Sequence, residues 1–136
     1  MKYLTYILIF ITLFSCKNDD DATVNIPDVN TFGLEGKWNL VAVTGGFLGV
    51  DHIFESGTIV WDFDETSKII TVVNNNSDTN LEDSLPTGTY NYSIQTLDDV
   101  QELIINDISI GNLSLNNNTL IIDEQFRDGF LFTFQR

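Results

Sequence analysis

Leu34-Glu35-Gly36-Lys37-Trp38-Asn39-Leu40 decides how the rest of the chain is read. Gly36 lets the backbone turn sharply into a strand, because without a Cβ it reaches backbone angles that other residues avoid. Trp38, two residues on, is a large apolar side chain near the start of that strand, sized to plug one end of a barrel. Gly36 to Thr44 alternates around Trp38, Leu40 and Ala42, the period-2 pattern of a half-buried strand. Downstream, the chain breaks into further short segments of the same kind.

Thr58 to Phe63 places Ile59, Trp61 and Phe63 on one face, and Lys68 to Asn74 is rich in β-branched residues. Gly88 to Thr96 sets Tyr90, Tyr92 and Ile94 together. Val100 to Asn106 and Ile108 to Leu115 follow. The last of these changes face between Ile108/Ile110 and Leu113/Leu115, which places a bulge at Gly111. Asn116-Asn117-Asn118 is a hairpin turn, since Asn tolerates positive φ. Thr119 to Asp123 and Gly129 to Gln135 complete the set, the final strand pointing Phe130, Phe132 and Phe134 inward. Residues 74–87 are polar, contain Pro86 and read as a long loop. Residues 47–56 hold apolar residues without a clear period, which leaves a short helix or a loop over one barrel end.

Eight short strands on short turns predict an all-β fold, an eight-stranded up-and-down antiparallel barrel. A two-sheet sandwich remains the alternative, because alternation does not distinguish closure from stacking. No segment reads as a long helix, which argues against parallel βαβ units.

The other end of the chain says where the protein lives. Lys2 is followed by an almost wholly apolar run, Tyr3 to Phe14, shorter than the roughly 20 residues that span a bilayer. Residues 1–15 have the form of a secretory signal peptide. Leu13-Phe14-Ser15-Cys16 resembles the lipobox of bacterial lipoproteins, although Phe14 is bulkier than the usual residue there. The resemblance implies that Cys16 becomes the lipidated N-terminus of the mature chain, held in the outer-membrane bilayer by acyl chains. Lys17-Asn18-Asp19-Asp20-Asp21 is similar to the acidic export signal of surface lipoproteins of Bacteroidetes, which implies display on the cell surface, with the periplasmic face as the alternative. Residues 16–30 then form a polar, acidic tether, and residues 31–136 the barrel domain.

Gly36-Lys37-Trp38 resembles the G-x-W motif that opens the first strand of lipocalins, and Phe132-Thr133-Phe134-Gln135-Arg136 is similar to the aromatic last strand of bacterial lipocalin-like domains. The resemblance covers residues 34–136. It implies a cation–π contact between Arg136 and Trp38. The chain is shorter than classical lipocalins and lacks their long C-terminal helix and their disulfide, so it is closer to the small lipocalin-like lipoproteins of Bacteroidetes. The family implies a fold much more than a ligand.

Composition narrows the function. The chain has 136 residues, one Cys and a formal net charge of −14. Phosphate backbones need Lys and Arg, so nucleic acid is not a partner. The lone Cys forms no internal disulfide. His52, the only His, stands beside Asp51 without a recognisable nucleophile motif. Asp62, Asp64 and Glu65 cluster at a hairpin without the glycine-punctuated loop of a Ca²⁺ site, and read as solvated turn residues. Glu82/Asp83 and Asp98/Asp99 fall in loops, not in the apolar pocket that a paired-carboxylate hydrolase needs. The expectation is therefore no enzyme, no metal and no cofactor.

What remains is the barrel interior, to which Trp38, Trp61, Phe63, Tyr90, Tyr92, Phe130, Phe132 and Phe134 all project. Eight-stranded barrels either fill with side chains or hold one small ligand. Two functions follow. One is a membrane-anchored lipocalin-like binding protein for a small hydrophobic ligand, with the aromatics supplying area and the Tyr hydroxyls orientation. The other is a filled barrel, a structural or interaction module that meets an envelope partner through its surface.

Overall fold

The structure, a computed structural model, describes residues 33–136. The signal peptide, Cys16 and the tether through residue 30 lie outside the described residues. The chain forms β1 (Gly36–Gly45), β2 (Val50–Ile53), β3 (Ile59–Asp64), β4 (Ile69–Asn74), β5 (Gly88–Leu97), β6 (Val100–Ile105), β7 (Ile108–Asn116), β8 (Thr119–Asp123) and β9 (Phe130–Gln135). Among the described residues the only helical element is a 3₁₀ turn, Gln125–Arg127.

Every neighbouring pair is antiparallel, and the order runs β1-β3-β4-β5-β6-β7-β8-β9, with β9 returning to β1. Eight strands thus close into an up-and-down barrel, not two stacked sheets. Closure removes the exposed strand edges that an open sheet would leave. β1 is long enough to serve three neighbours. One edge pairs with β9, while the other pairs first with β3 (Gly36 to Asn39) and then with β2 (Ala42 to Gly45).

β2 corrects the reading of residues 47–56 as a helix or a loop. Its inward positions are Val50 and His52, and its outward ones are Asp51 and Ile53, with Ile53 72% exposed. A His facing in and an Ile facing out cancel the alternation by which a strand is recognised.

A second correction concerns β1. The register against β9 slips between Leu40 and Ala42, so Val41 is an extra, bulged residue. The inward set is therefore Trp38, Leu40 and Val43, all fully buried, and Ala42 faces outward. The bulge at Gly111 lies where the change of face in β7 placed it. Leu103 pairs with Gly111 but Ile104 with Ser109, leaving Ile110 unmatched.

The tight turns hold several of the acidic residues. Asp98-Asp99 and Asn106-Asp107 are two-residue hairpin loops with positive φ at both positions, as right-twisted strands require. The Asp64 carboxylate accepts hydrogen bonds from the backbone N–H groups of Thr66 and Ser67. Hydrogen bonds from Ser67, side chain then backbone, hold its pKa below the ordinary carboxylate value, with a further one from Thr66.

Candidate functional site: the barrel interior and its two ends

Strict alternation on β3 and β9 turns large apolar side chains into the lumen. Trp61, Phe63 and Phe134 are fully buried there, with Phe132 and Tyr92 nearly so. The rings meet across the barrel. The centroid of Trp61 lies 4.9 Å from that of Phe134 and 6.1 Å from that of Phe63. Phe63 in turn meets Tyr92 edge-on at 5.3 Å. β3 and β9 flank β1, so the Trp61–Phe134 pair packs over the inner face of that strand. Tyr90 and Phe130 are only half-buried and pack against the rim of this core. All eight aromatic side chains expected at the inner face thus touch the core, six within it and two at its border.

The end where β1 starts is shut by a network that begins at the G-x-W stretch. Trp38 is fully buried beside its cross-strand partner Trp61. Its Nε1–H donates to the carbonyl of Leu34 at 2.7 Å, folding Leu34 over the opening. The Leu34 N–H donates to Glu65 Oε1 at 2.6 Å, and the Glu65 N–H to Glu35 Oε2 at 2.7 Å. Arg136 closes the outside. Its guanidinium lies 3.9 Å from the Trp38 ring centroid and donates to the Gly33 carbonyl at 2.7 Å. Cation–π attraction and a charge-assisted hydrogen bond thus hold the beginning and end of the described chain together.

The opposite end is covered by residues 75–87. This segment looks like a solvated loop, yet Leu81 and Leu85 pack against the core, as does the buried Phe54. His52 holds the cover in place, its Nδ1 accepting the Glu82 N–H at 2.9 Å. Asn74 donates through Nδ2 to the Leu85 carbonyl, and the Tyr90 hydroxyl donates to that of Pro86. The one His therefore acts as a peg for a loop.

The acidic residues at the β3–β4 turn do not converge. Glu65 points inward to Leu34 while Asp64 caps its own turn. Among the described residues, no group of three His, Cys, Asp or Glu side chains is placed to hold a metal ion.

Among the described residues, surface hollows lie beside the barrel. One, of about 330 Å³, is lined by Asn91, Tyr92, Ser93, Ile104, Asn106 and Asp107. Another, of about 430 Å³, lies beside the cover and is lined by Asn74, Asn76, Asp83, Ser84, Pro86 and Thr87. Both are lined mainly by polar side chains. Comparison with protein-family models, curated proteins and solved structures found no match.

Among the described residues, two interior groups are left over. The Trp61 indole N–H and the Tyr92 hydroxyl are buried without a hydrogen-bond partner, both on side chains that pack against Phe63. Burial pushes the Tyr92 pKa up to about 12, with the negative charge of Glu65, Glu35 and Asp64 adding to it. Tyr92 therefore remains a neutral donor throughout the physiological range. No sequence signal marks either group as unpartnered, because partnership depends on atoms contributed by other strands.

Proposed function

We propose that this chain is a filled β-barrel that works through its outer surface, an interaction module of the cell envelope tethered by a lipid on Cys16. The observation that carries this reading is the aromatic stack Phe134–Trp61–Phe63–Tyr92 across the lumen, with its ring contacts of 4.9–6.1 Å. Rings at these separations are in van der Waals contact and leave little room between them. The Trp38–Leu34–Arg136 closure and the Leu81/Leu85 cover support it from the two ends. Residues 1–15 and the acidic run after Cys16 support export and anchoring at the outer membrane, on the surface face. The acidic excess of the chain, a net charge of −14 over all 136 residues, favours solubility beside an anionic bilayer.

Native mass spectrometry of the full chain, purified from its own membranes, tests this. The expected mass is the chain from Cys16 plus covalent lipid, with no further molecule. A non-covalent adduct of a few hundred daltons that survives purification would overturn it.

A second reading, a carrier for a small hydrophobic molecule bearing a hydrogen-bond acceptor, is favoured by the unpartnered Trp61 and Tyr92 donors. Tyr92→Phe separates the two. In a filled barrel it removes an unsatisfied buried hydroxyl, so the urea midpoint at pH 7 is expected to stay unchanged or rise. Above pH 10 the unfolded tyrosine ionises while the folded one, with its pKa of about 12, stays neutral. The unfolded state then binds fewer protons than the native one. Stability falls between about pH 10 and 12, and Tyr92→Phe removes Tyr92's share of that fall. A loss of about 1 kcal/mol or more at pH 7 would mean that the hydroxyl has an interior partner and would favour the carrier.

A further inference from the structure

Resting on the interaction-module reading, we propose that the β1–β2 hairpin is the contact element of this module, a rigid finger whose Phe47 and Leu48 enter an apolar cleft rimmed by basic side chains on a partner protein. Phe47 is 91% exposed and Leu48 88%, the two most exposed large apolar side chains among the described residues. Adjacent at the tip of one hairpin, they present a contiguous apolar surface, the kind of feature that marks a contact site when it is large enough. The base of the finger is fixed. The Gly46 N–H donates to the Gly129 carbonyl at 2.9 Å, and the Gly49 N–H to that of Gly46 at 3.0 Å. Gly46 has φ +68°, and a Cβ there would lie 2.5 Å from the Phe130 ring, so only glycine permits this seating. The fixed base aims the two side chains outward and limits the entropy lost on docking.

Phe126, 61% exposed on the 3₁₀ turn of the adjoining β8–β9 connection, adds to the same end. The strand and turn at the same end carry Asp51, Asp123, Glu124 and Asp128, and among the described residues there one cation, Arg127, which is already paired with Glu124 at 2.7 Å. This acidic collar selects the occupant. It repels an anionic bilayer, and it repels a second copy of itself, because a symmetric contact would set like charges face to face. It complements a basic rim. The finger also stands at the end of the barrel opposite Gly33 and Arg136.

The test places the photo-crosslinker benzoylphenylalanine at position 47 of the full chain, in its native cells, and separately at Thr71, Ser93 and Ser114 on other parts of the outer face. Position 47 is expected to give a discrete adduct with another protein, reduced severalfold by Leu48→Asp. That protein, purified, is expected to bind the unlabelled full chain at least about tenfold more weakly after Phe47→Ser, and more weakly as salt rises, with the melting temperature of the variant unchanged. An adduct only with lipid, only with a second copy, or none at position 47 overturns the proposal. If Thr71, Ser93 or Ser114 then yields protein adducts, the interaction module survives without the finger. If no position does, both readings fall.

Discussion

Trp38→Ala is expected to cost about 3–5 kcal/mol of folding stability, measured by urea denaturation, a large share of what a domain of this size possesses. Three losses combine. The indole is fully buried against Trp61, so truncation opens a cavity in a closed lumen that cannot collapse from either side. The Leu34 carbonyl loses the Nε1–H donor that draws Leu34 over the opening. Arg136 loses the ring face over which it lies, a contact worth roughly 0.5–2 kcal/mol. Trp38→Phe separates them in part, because it removes the N–H and a fraction of the ring while keeping an aromatic face and most of the apolar volume. It is expected to lose about 1–2 kcal/mol. Arg136→Gln removes the cation alone and is expected to lose still less. A Trp38→Ala loss below about 2 kcal/mol would show that the G-x-W tryptophan does not organise this end of the barrel.

Gly111→Ala is the second large effect, about 2–4 kcal/mol, from adding a single methyl group. Gly111 has φ +142°, a region that residues with a Cβ rarely occupy, and strain of this kind costs about 1–3 kcal/mol. The new Cβ would also lie 2.8 Å from the carbonyl oxygen of Asp123 and 2.9 Å from its carbon. These are backbone atoms of β8, fixed by pairing with both β7 and β9, so they cannot swing aside as a side-chain tip would. Gly36→Ala is the control. It also has positive φ, +97°, but a Cβ there meets nothing within 4 Å, so only the strain remains. Hydrogen exchange should locate the difference, with Gly111→Ala speeding exchange along the β7–β8 ladder. Equal losses for the two variants would exclude the clash with β8 as the cause.

The sequence displays both of these sites openly. Gly36-Lys37-Trp38 and the change of face around Gly111 are local patterns, and local patterns are where sequence reasoning succeeds. The same holds for Ile59/Trp61/Phe63 and Phe130/Phe132/Phe134, whose strict alternation leaves one choice of inner face. The bulge at Val41 has no glycine to announce it, so the alternation of β1 runs on to Ala42 when Val43 is the buried residue. β2 is hidden by its inverted polarity. The end closure is hidden by distance, since Glu65 reads as one more turn carboxylate until Leu34, 31 residues earlier, brings it an N–H. Leu81 and Leu85 are submerged in a polar segment, and only the placement of the barrel mouth beneath them gives them a surface to cover. The inner aromatic residues were legible one strand at a time. Whether they fill the space between them depends on how the strands wrap around one another, which no single strand encodes.

The position of Gly33 also sets how the domain bears mechanical load. A pull entering at Gly33 passes within three residues into β1, which is bonded along both edges. If the far end of the barrel is held, tension runs along the strands, at right angles to their hydrogen bonds. The ladders on either side of β1 are then sheared together and must break as a group, whereas a pull across the strands would open them one bond at a time. Under stretching the barrel should yield at a high force in one step, with the Arg136 clasp over Trp38 among the first contacts to feel the strain.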